Sequence, residues 1–393
     1  MSSPATPGRQ ERALGIDIFC RVVDNFGDAG VCWRLARQLA SEHGAGVILW
    51  IDRPEIIALI AARGTESQVE VRHWNAADER YAPRDVLLSA FGCELPAKVR
   101  ARLSPGRPAP VWINLEYLSA EPWIDGCHLL PSVKPDDLAL EWFYYPGFSA
   151  ASGGLLREAG IDRQRDSFLR SEAGTWLAAH GLDSQPGALR ISLFCYPRAP
   201  IGELLAELAG NSQRPVHLLL PGGVAEAAIS DFLGYGLLSG QRVRVGALTI
   251  ARHAFLDQDG YDRLLWSCDL NFVRGEDSWV RAHWADRPFV WQPYPQSEDT
   301  HLVKLEAFLT RMLAGASPPA ESATGAPAAA GEAAELIRAM MLAWSGARPL
   351  AGTVAPFLAA LPRLAPLYSS WRLELARRAD LANQLYEFIQ TKI

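Results

Sequence analysis

Near the start of the chain a short apolar run, Ile16–Val23, gives way to an acidic turn and then to an amphipathic helix. The run has the composition of a buried strand with a β-branched tail. After Asp24-Asn25-Phe26-Gly27-Asp28-Ala29-Gly30, apolar Val31, Leu35 and Leu39 recur at helical spacing, with Arg34, Arg37 and Gln38 on the other side. Strand, glycine-bearing loop and helix, in that order, open a sheet that places ligands at the carboxyl ends of its strands. This loop does not have phosphate-binding chemistry. It carries two glycines, no lysine, and two carboxylates, Asp24 and Asp28, four residues apart. Carboxylates repel a diphosphate and attract a cation or a hydroxyl proton, so the loop fits an acceptor or a catalytic base better than a nucleotide. The same residues also have a purely local use: Asp28 capping the helix, Asp24 starting the turn, and the glycines supplying backbone freedom.

The alternation continues with strand-like runs at Gly46–Trp50, Val69–His73, Val86–Ala90 and Val111–Asn114, which predicts a parallel α/β sheet with helices on both faces. From about Pro131 to Asp166 the abundance of aromatics, Pro and Gly predicts long surface loops. A second α/β series begins near Leu189, with runs at Arg190–Tyr196, Val216–Pro221, Arg242–Val245, Leu270–Val273 and Phe289–Trp291. Residues 317–334 are low-complexity Ala, Pro, Gly and Ser, which predicts a flexible insertion or linker, and Ser369–Ile393 carries helical periodicity. A length of 393 residues favours two domains over one core. Two similar α/β domains facing each other across a cleft is the pattern of the two-domain nucleotide-sugar transferases.

A net charge of -6 argues against a nucleic-acid or anionic-membrane partner. No apolar run approaches the ~18 residues of a membrane span, and the first dozen residues lack a signal-peptide core and read as a tail. The six cysteines are scattered without a C-x-x-C pair and the eight histidines without ligand spacing. The expectation is a cytoplasmic, metal-free protein with reduced cysteines.

A second constellation, Arg274-Gly275-Glu276-Asp277-Ser278, follows the Leu270–Val273 run and opens a helix through Trp279, Val280, Ala282 and Trp284. The N-terminus of that helix offers free N–H groups and partial positive charge, which suits a diphosphate, and Arg274 can complete the anion site. Glu276 and Asp277 are awkward there unless they turn toward sugar or ribose hydroxyls. The local alternative is a capped helix, with Ser278 or Asp277 capping and Glu276 favoured by the dipole. Aromatics accompany the site: Phe194 and Tyr196 end the first strand of the second half, and Phe255, Gln258 and Tyr261 precede Arg274. Flat rings can sandwich a nucleobase while an amide reads its edge, and they can equally fill a core.

Together, Asp-Asn-Phe-Gly-Asp-x-Gly-Val-Cys-Trp-Arg-Leu-Ala-Arg-Gln-Leu near the start, Phe-Cys-Tyr in the middle and Arg-Gly-Glu-Asp-Ser late resemble the protein-arginine rhamnosyltransferases that modify bacterial translation elongation factor P. The resemblance implies an α/β GT-B glycosyltransferase fold of two Rossmann-like domains. An acceptor-binding domain would cover 14–166, with a C-terminal helix, 369–393, packing back on it, and a donor-binding domain would cover 187–350. It also implies an inverting transfer of L-rhamnose from TDP-β-L-rhamnose to an arginine of elongation factor P, without cofactor or metal. Asp24 and Asp28 would be the essential carboxylates, with Asp28 the general base. Phe194, Tyr196, Phe255, Gln258 and Tyr261 would surround the base and sugar, and Arg274, Glu276, Asp277 and Ser278 the diphosphate. A nucleotide-sugar epimerase or a different GT-B transferase shares this architecture, and a non-enzymatic module docking on a translation factor would need no base. A nicotinamide dehydrogenase is disfavoured because neither junction reads G-x-G-x-x-G.

Overall fold

The strands of the first half assemble into one sheet: β1 (Gly15–Cys20), β2 (Gly46–Ile51), β3 (Val69–His73), β4 (Val86–Ala90), β5 (Val111–Leu115), β6 (Pro131–Val133) and β7 (Leu140–Tyr144). Their order is β3-β2-β1-β4-β5-β7-β6, parallel except for β6. The second half forms another sheet from β8 (Leu189–Leu193), β9 (Val216–Pro221), β10 (Arg242–Val245), β11 (Leu248–His253), β12 (Leu270–Arg274) and β13 (Phe289–Gln292), in the order β10-β11-β9-β8-β12-β13. Only β10 runs antiparallel there. The computed structural model describes residues 12–24, 26–61, 68–78, 80–103, 109–133, 140–211, 213–315 and 326–393. Among these, no helix is long and apolar enough to cross a membrane.

Every residue of β1 is buried, as expected of a central parallel strand covered on both faces. The strand stops at Cys20, short of Val23, because the next amides find side chains instead of a neighbouring strand. Val22 N donates to Asp52 Oδ1 at 3.0 Å and Val23 N to Asp28 Oδ2 at 2.7 Å. Helix α1 (Gly27–His43) then runs back along the sheet and ends at Gly44, whose φ of 64° is the left-handed conformation that closes a helix.

Three expectations need correction. The stretch from Pro131 to Asp166 is not one set of loops: it contributes β6 and β7 and the start of a helix, Ile161–Ser171. Leu140-Glu141-Trp142-Phe143-Tyr144 is aromatic-rich, and rings fit a pleated surface, so the composition read as loop pairs with β5 as a strand. In the second sheet β11 was missed. It follows β10 through Gly246, where φ is 58° and a Cβ would lie 2.5 Å from the Ala209 carbonyl oxygen. The alanine-rich insertion is in part helical. Residues 316–325 lie outside the described residues, but 326–334 belong to a helix, and alanine is the strongest helix former.

In chain order, helices α2 (Gln258–Ser267) and α3 (Asp277–Trp284) belong to the second sheet, followed by α4 (Ala326–Trp344), α5 (Val354–Ala376) and α6 (Leu381–Gln390). The periodicity over Ser369–Ile393 therefore spans the end of α5 and all of α6. Tyr368 of α5 donates to the Phe289 carbonyl of β13 at 2.8 Å. Helix α6 crosses to the first sheet: Leu381 N donates to Leu155 O at 2.9 Å, Phe388 meets Trp142 at 5.5 Å, and Tyr386 stacks on His43 at 4.2 Å. Asp380 sets that crossing. It accepts from Asn383 N at 3.1 Å, capping α6, and from Gln38 Nε2 of α1 at 3.0 Å.

Replacing Asp380 with Ala removes the cap and the link to α1 together. The expected loss is on the order of 1–2 kcal/mol, read as a lower urea midpoint with an unchanged denaturant slope.

Candidate active site

The carboxyl ends of β1, β8, β11 and β12 converge on one open cleft. Asp24, Phe26 and Gly27 form one wall, while Phe194, Phe255, Gln258, Tyr261 and the segment from Arg274 to Ser278 form the other. The two sequence constellations thus meet face to face.

On the first wall, Asp28 does not cap α1. Phe26 occupies the cap position without a side-chain bond, and Asp28 Oδ2 instead accepts from the amides of Val23 and Asp24, at 2.7 and 2.9 Å. The carboxylate holds the loop from behind. It is 3% exposed, and burial, with help from the Asp24 charge, raises its proton affinity, although the two amide bonds work against that rise. Asp24 is the carboxylate on the cleft wall, and its Oδ2 accepts from the Tyr196 hydroxyl of the opposite unit at 2.6 Å. Gly27 and Gly30 have no positive φ, so backbone freedom does not explain them. Close approach does: a Cβ on Gly30 would lie 2.9 Å from Asp277 Oδ2 and 3.1 Å from Gln258 Nε2.

On the second wall, Arg274 is gripped by the two rings expected near the nucleobase. Its guanidinium carbon lies 4.2 Å from the Phe194 ring centre and 4.6 Å from that of Tyr196, and Nη1 donates to Cys195 O at 3.0 Å. Tyr196 therefore sits at the arginine end of the cleft, bridging Arg274 and Asp24. The Ser278 hydroxyl accepts from Arg274 N at 3.0 Å and donates to Arg274 O, closing the turn from β12 into α3. The turn needs Gly275: φ is 58°, and a Cβ would press on the Tyr196 hydroxyl at 2.9 Å and Asp24 at 3.1 Å. Further along the cleft Phe255 packs on Phe26 of the first unit, with ring centres 5.2 Å apart, and Phe194 meets Tyr261 edge-on at 5.9 Å. The Gln258 amide spans the units, donating to Gly30 O at 3.1 Å and to Asp277 Oδ2 at 3.2 Å.

The two acidic residues of the late motif are both engaged by the first unit. Glu276 Oε2 accepts from Leu118 N at 3.1 Å. Burial, reinforced by Asp28 and Asp24, pushes its carboxyl up to about 8. Asp277 Oδ1 accepts from Arg34 Nε at 2.8 Å. Arg34 is the residue that sequence reasoning misplaced. Set on the polar side of α1 as if facing water, it is 2% exposed and also binds both oxygens of Asp262, at 3.1 and 3.2 Å. Glu158 lies 3.6 Å away, and Arg281 shares Glu158 and Asp262 from the far side. A signal was present: Gly30, Arg34 and Gln38 recur every fourth residue, a stripe that faces a second partner. Four cysteines are buried, Cys93 and Cys127 are half-buried, and none of the six forms a disulfide.

Two Rossmann-like sheets that close a cleft with the carboxyl ends of their strands define a GT-B glycosyltransferase. Residues 16–390 match the family described as Elongation-Factor P (EF-P) rhamnosyltransferase EarP, and the chain belongs to that family. A protein-arginine rhamnosyltransferase of Pseudomonas putida is 48% identical over 321 residues, covering 78% of this chain and 84% of the relative. That of Pseudomonas aeruginosa is 43% identical over 382 residues, covering 95% and 98%. A solved structure from work on EarP-mediated arginine glycosylation of translation elongation factor EF-P superposes with a TM-score of 0.69 at 32% identity, covering 96% of this chain and 99% of the other.

The Glu276 environment has a pH signature. Its folded-state carboxyl titrates near 8 against an ordinary 4.5, so the folded protein holds a proton that the unfolded chain has lost. The stability from the neutral form is complete below about 4.5 and is lost as pH rises through about 8. Urea unfolding at pH 5.5, 7 and 8.5 is expected to show a falling midpoint, and Glu276→Gln is expected to flatten that fall.

Proposed function

We propose that this chain transfers L-rhamnose, with inversion, from TDP-β-L-rhamnose to an arginine side chain of elongation factor P, in the cytoplasm and without a cofactor or metal. Family membership supports the reaction class. The observation that carries the reading is the opposition of an acidic loop, with Asp24 on the cleft wall and Asp28 behind it, to a strand-to-helix turn holding Arg274. Cation-binding and anion-binding groups face one another across one cleft, as a cationic acceptor and an anionic donor require.

The acceptor chemistry explains the acidity. A guanidinium has a pKa above about 12 and a free Asp one near 3.9, a gap on the order of 12 kcal/mol that forbids removing the proton before attack. Two carboxylates can clamp the guanidinium, localise its charge and take the proton as the C–N bond forms. Asp24 does the clamping in this scheme, steadied by Tyr196. Asp28 takes the proton, helped by the higher proton affinity that burial confers. On the opposite face of the sugar, Arg274 and the α3 N-terminus stabilise the departing diphosphate. Phe255, Gln258 and Tyr261 surround the nucleoside. The donor carries its own leaving group, so these donors can do the work assigned elsewhere to a metal ion.

The test is an intact-mass measurement of elongation factor P after incubation with the enzyme and TDP-β-L-rhamnose. One added deoxyhexose, lost when the acceptor arginine is replaced by lysine, is the expected result. Donor turnover without the factor would mark an epimerase instead, and an unmodified factor beside intact, bound donor would refute the acceptor assignment. Arg274→Ala is expected to weaken TDP binding roughly tenfold or more and to slow transfer as well. An unchanged TDP affinity would remove Arg274 from the diphosphate site.

A further inference from the structure

Asp277 poses an electrostatic problem. It is the first residue of α3, on the same cleft wall as Arg274. An ionised, unpaired carboxylate there would offset the partial positive charge of the helix N-terminus and repel a diphosphate. We propose that Arg34 is a positioning residue for donor binding: reaching from the first unit, it neutralises Asp277, so that the α3 N-terminus attracts a nucleoside diphosphate only when the two units are closed on each other. This rests on the nucleoside-diphosphate reading of the cleft.

The geometry sets Arg34 apart from its neighbours. Its Nε donates to Asp277 Oδ1 at 2.8 Å while its two terminal nitrogens bind Asp262. Asp262 is not left alone without it, since Arg281 donates to both its oxygens, at 3.0 and 2.7 Å. Asp277 has no such reserve, because among the described residues Arg34 is the cation paired with it. Gln258 Nε2 holds the other oxygen at 3.2 Å, so the carboxylate is turned toward α1. Gly30, one turn before Arg34, leaves the room for this approach. Glu276 is affected by the same unit in a different way. Burial, and then the Asp28 and Asp24 charges of the first unit, push its carboxyl up to about 8 against the Leu118 amide bond, which favours the charged form. Both acidic side chains of the late motif are therefore masked from across the cleft, and Arg274 is left as the charge that a diphosphate meets.

The test compares TDP with thymidine, which shares the nucleoside and lacks the charge. Both are titrated by calorimetry or ligand-observed NMR into wild type, Arg34→Met, and Arg34→Met combined with Asp277→Asn. Wild type that binds no TDP would refute the donor reading itself, separately from the role of Arg34. Given wild-type binding, Arg34→Met is expected to weaken TDP about tenfold or more, with thymidine changed less than about twofold. The double variant is expected to recover most of the TDP loss, because removing the unpaired carboxylate removes the need for its counter-ion. A double variant no tighter than Arg34→Met, or equal losses of TDP and thymidine, would make Arg34 merely structural and overturn the proposal. Should Arg34→Met fail to fold, Arg34→Lys decides. It keeps the charge without the fork and is expected to hold TDP within about fivefold of wild type, whereas a larger loss would overturn the proposal.

Discussion

The buried guanidinium of Arg34 is the interaction on which the electrostatics of the cleft between the two sheets depend. It leaves α1 of the first unit and ends between Glu158 and the second unit's Asp277 and Asp262, with Arg281 completing the network. Removing one partner from such a cluster leaves a buried charge uncompensated, at about 3–5 kcal/mol, whereas the intact cluster adds little net stability over an apolar contact. Its contribution is therefore to the charge balance of the cleft, and register is shared with the other bonds between the units. Together with the close approach at Gly30, these bonds fix which turn of α1 lies against the start of α3, and so where the acidic loop of one unit stands relative to the arginine turn of the other. Those other bonds are Asp24–Tyr196 at 2.6 Å and Gln258–Gly30 at 3.1 Å.

On the proposed function, that register separates two electrostatic tasks within a single cleft. Carboxylates are needed where a guanidinium must be gripped and deprotonated, and they are harmful where a diphosphate must be held. Four acidic residues, Asp24, Asp28, Glu276 and Asp277, crowd the junction, and each is treated differently. Asp24 faces the cleft and is hydrogen-bonded by a tyrosine, Asp28 is anchored by two amides behind the loop, Glu276 is half-buried with its proton affinity raised, and Asp277 is paired with Arg34. Burial, amide donation and ion pairing are the three ordinary means of setting a carboxyl's charge, and all operate within this one site.

The sequence carried much of this and missed what depends on distant partners. Parallel strands covered on both faces read as apolar runs, so β1, β2, β4, β5, β8, β9, β12 and β13 were legible to within a few residues, while the edge strands β3 and β10 showed as alternating ones. The segment from Arg274 to Ser278 was legible because it follows an apolar strand, whereas Phe255, Gln258 and Tyr261, which follow the missed β11, took their role from the resemblance; the structure brings all of them to one cleft. The strand β7 was hidden by composition: its aromatics looked like a loop because proline and glycine surround them. The burial of Arg34 was hidden for a deeper reason. A polar helix face looks the same whether it meets water or carboxylates more than two hundred residues away, and nothing local distinguishes the two. Only the stripe of Gly30, Arg34 and Gln38 hints that this helix has two buried faces. Tyr196 was selected for its ring, yet its hydroxyl, which joins the two units, is the more informative atom.

The central claim is that proton acceptance and donor binding reside on opposite walls of the cleft, with Asp28 serving the first alone. The most direct measurement pairs the TDP dissociation constant with the single-turnover rate of transfer to elongation factor P, for wild type and Asp28→Asn. The account predicts a TDP affinity within about threefold of wild type and a rate lower by ~10²–10⁴, the range expected for loss of a general base. A variant that loses donor affinity as severely as rate, or that keeps its rate, would contradict it.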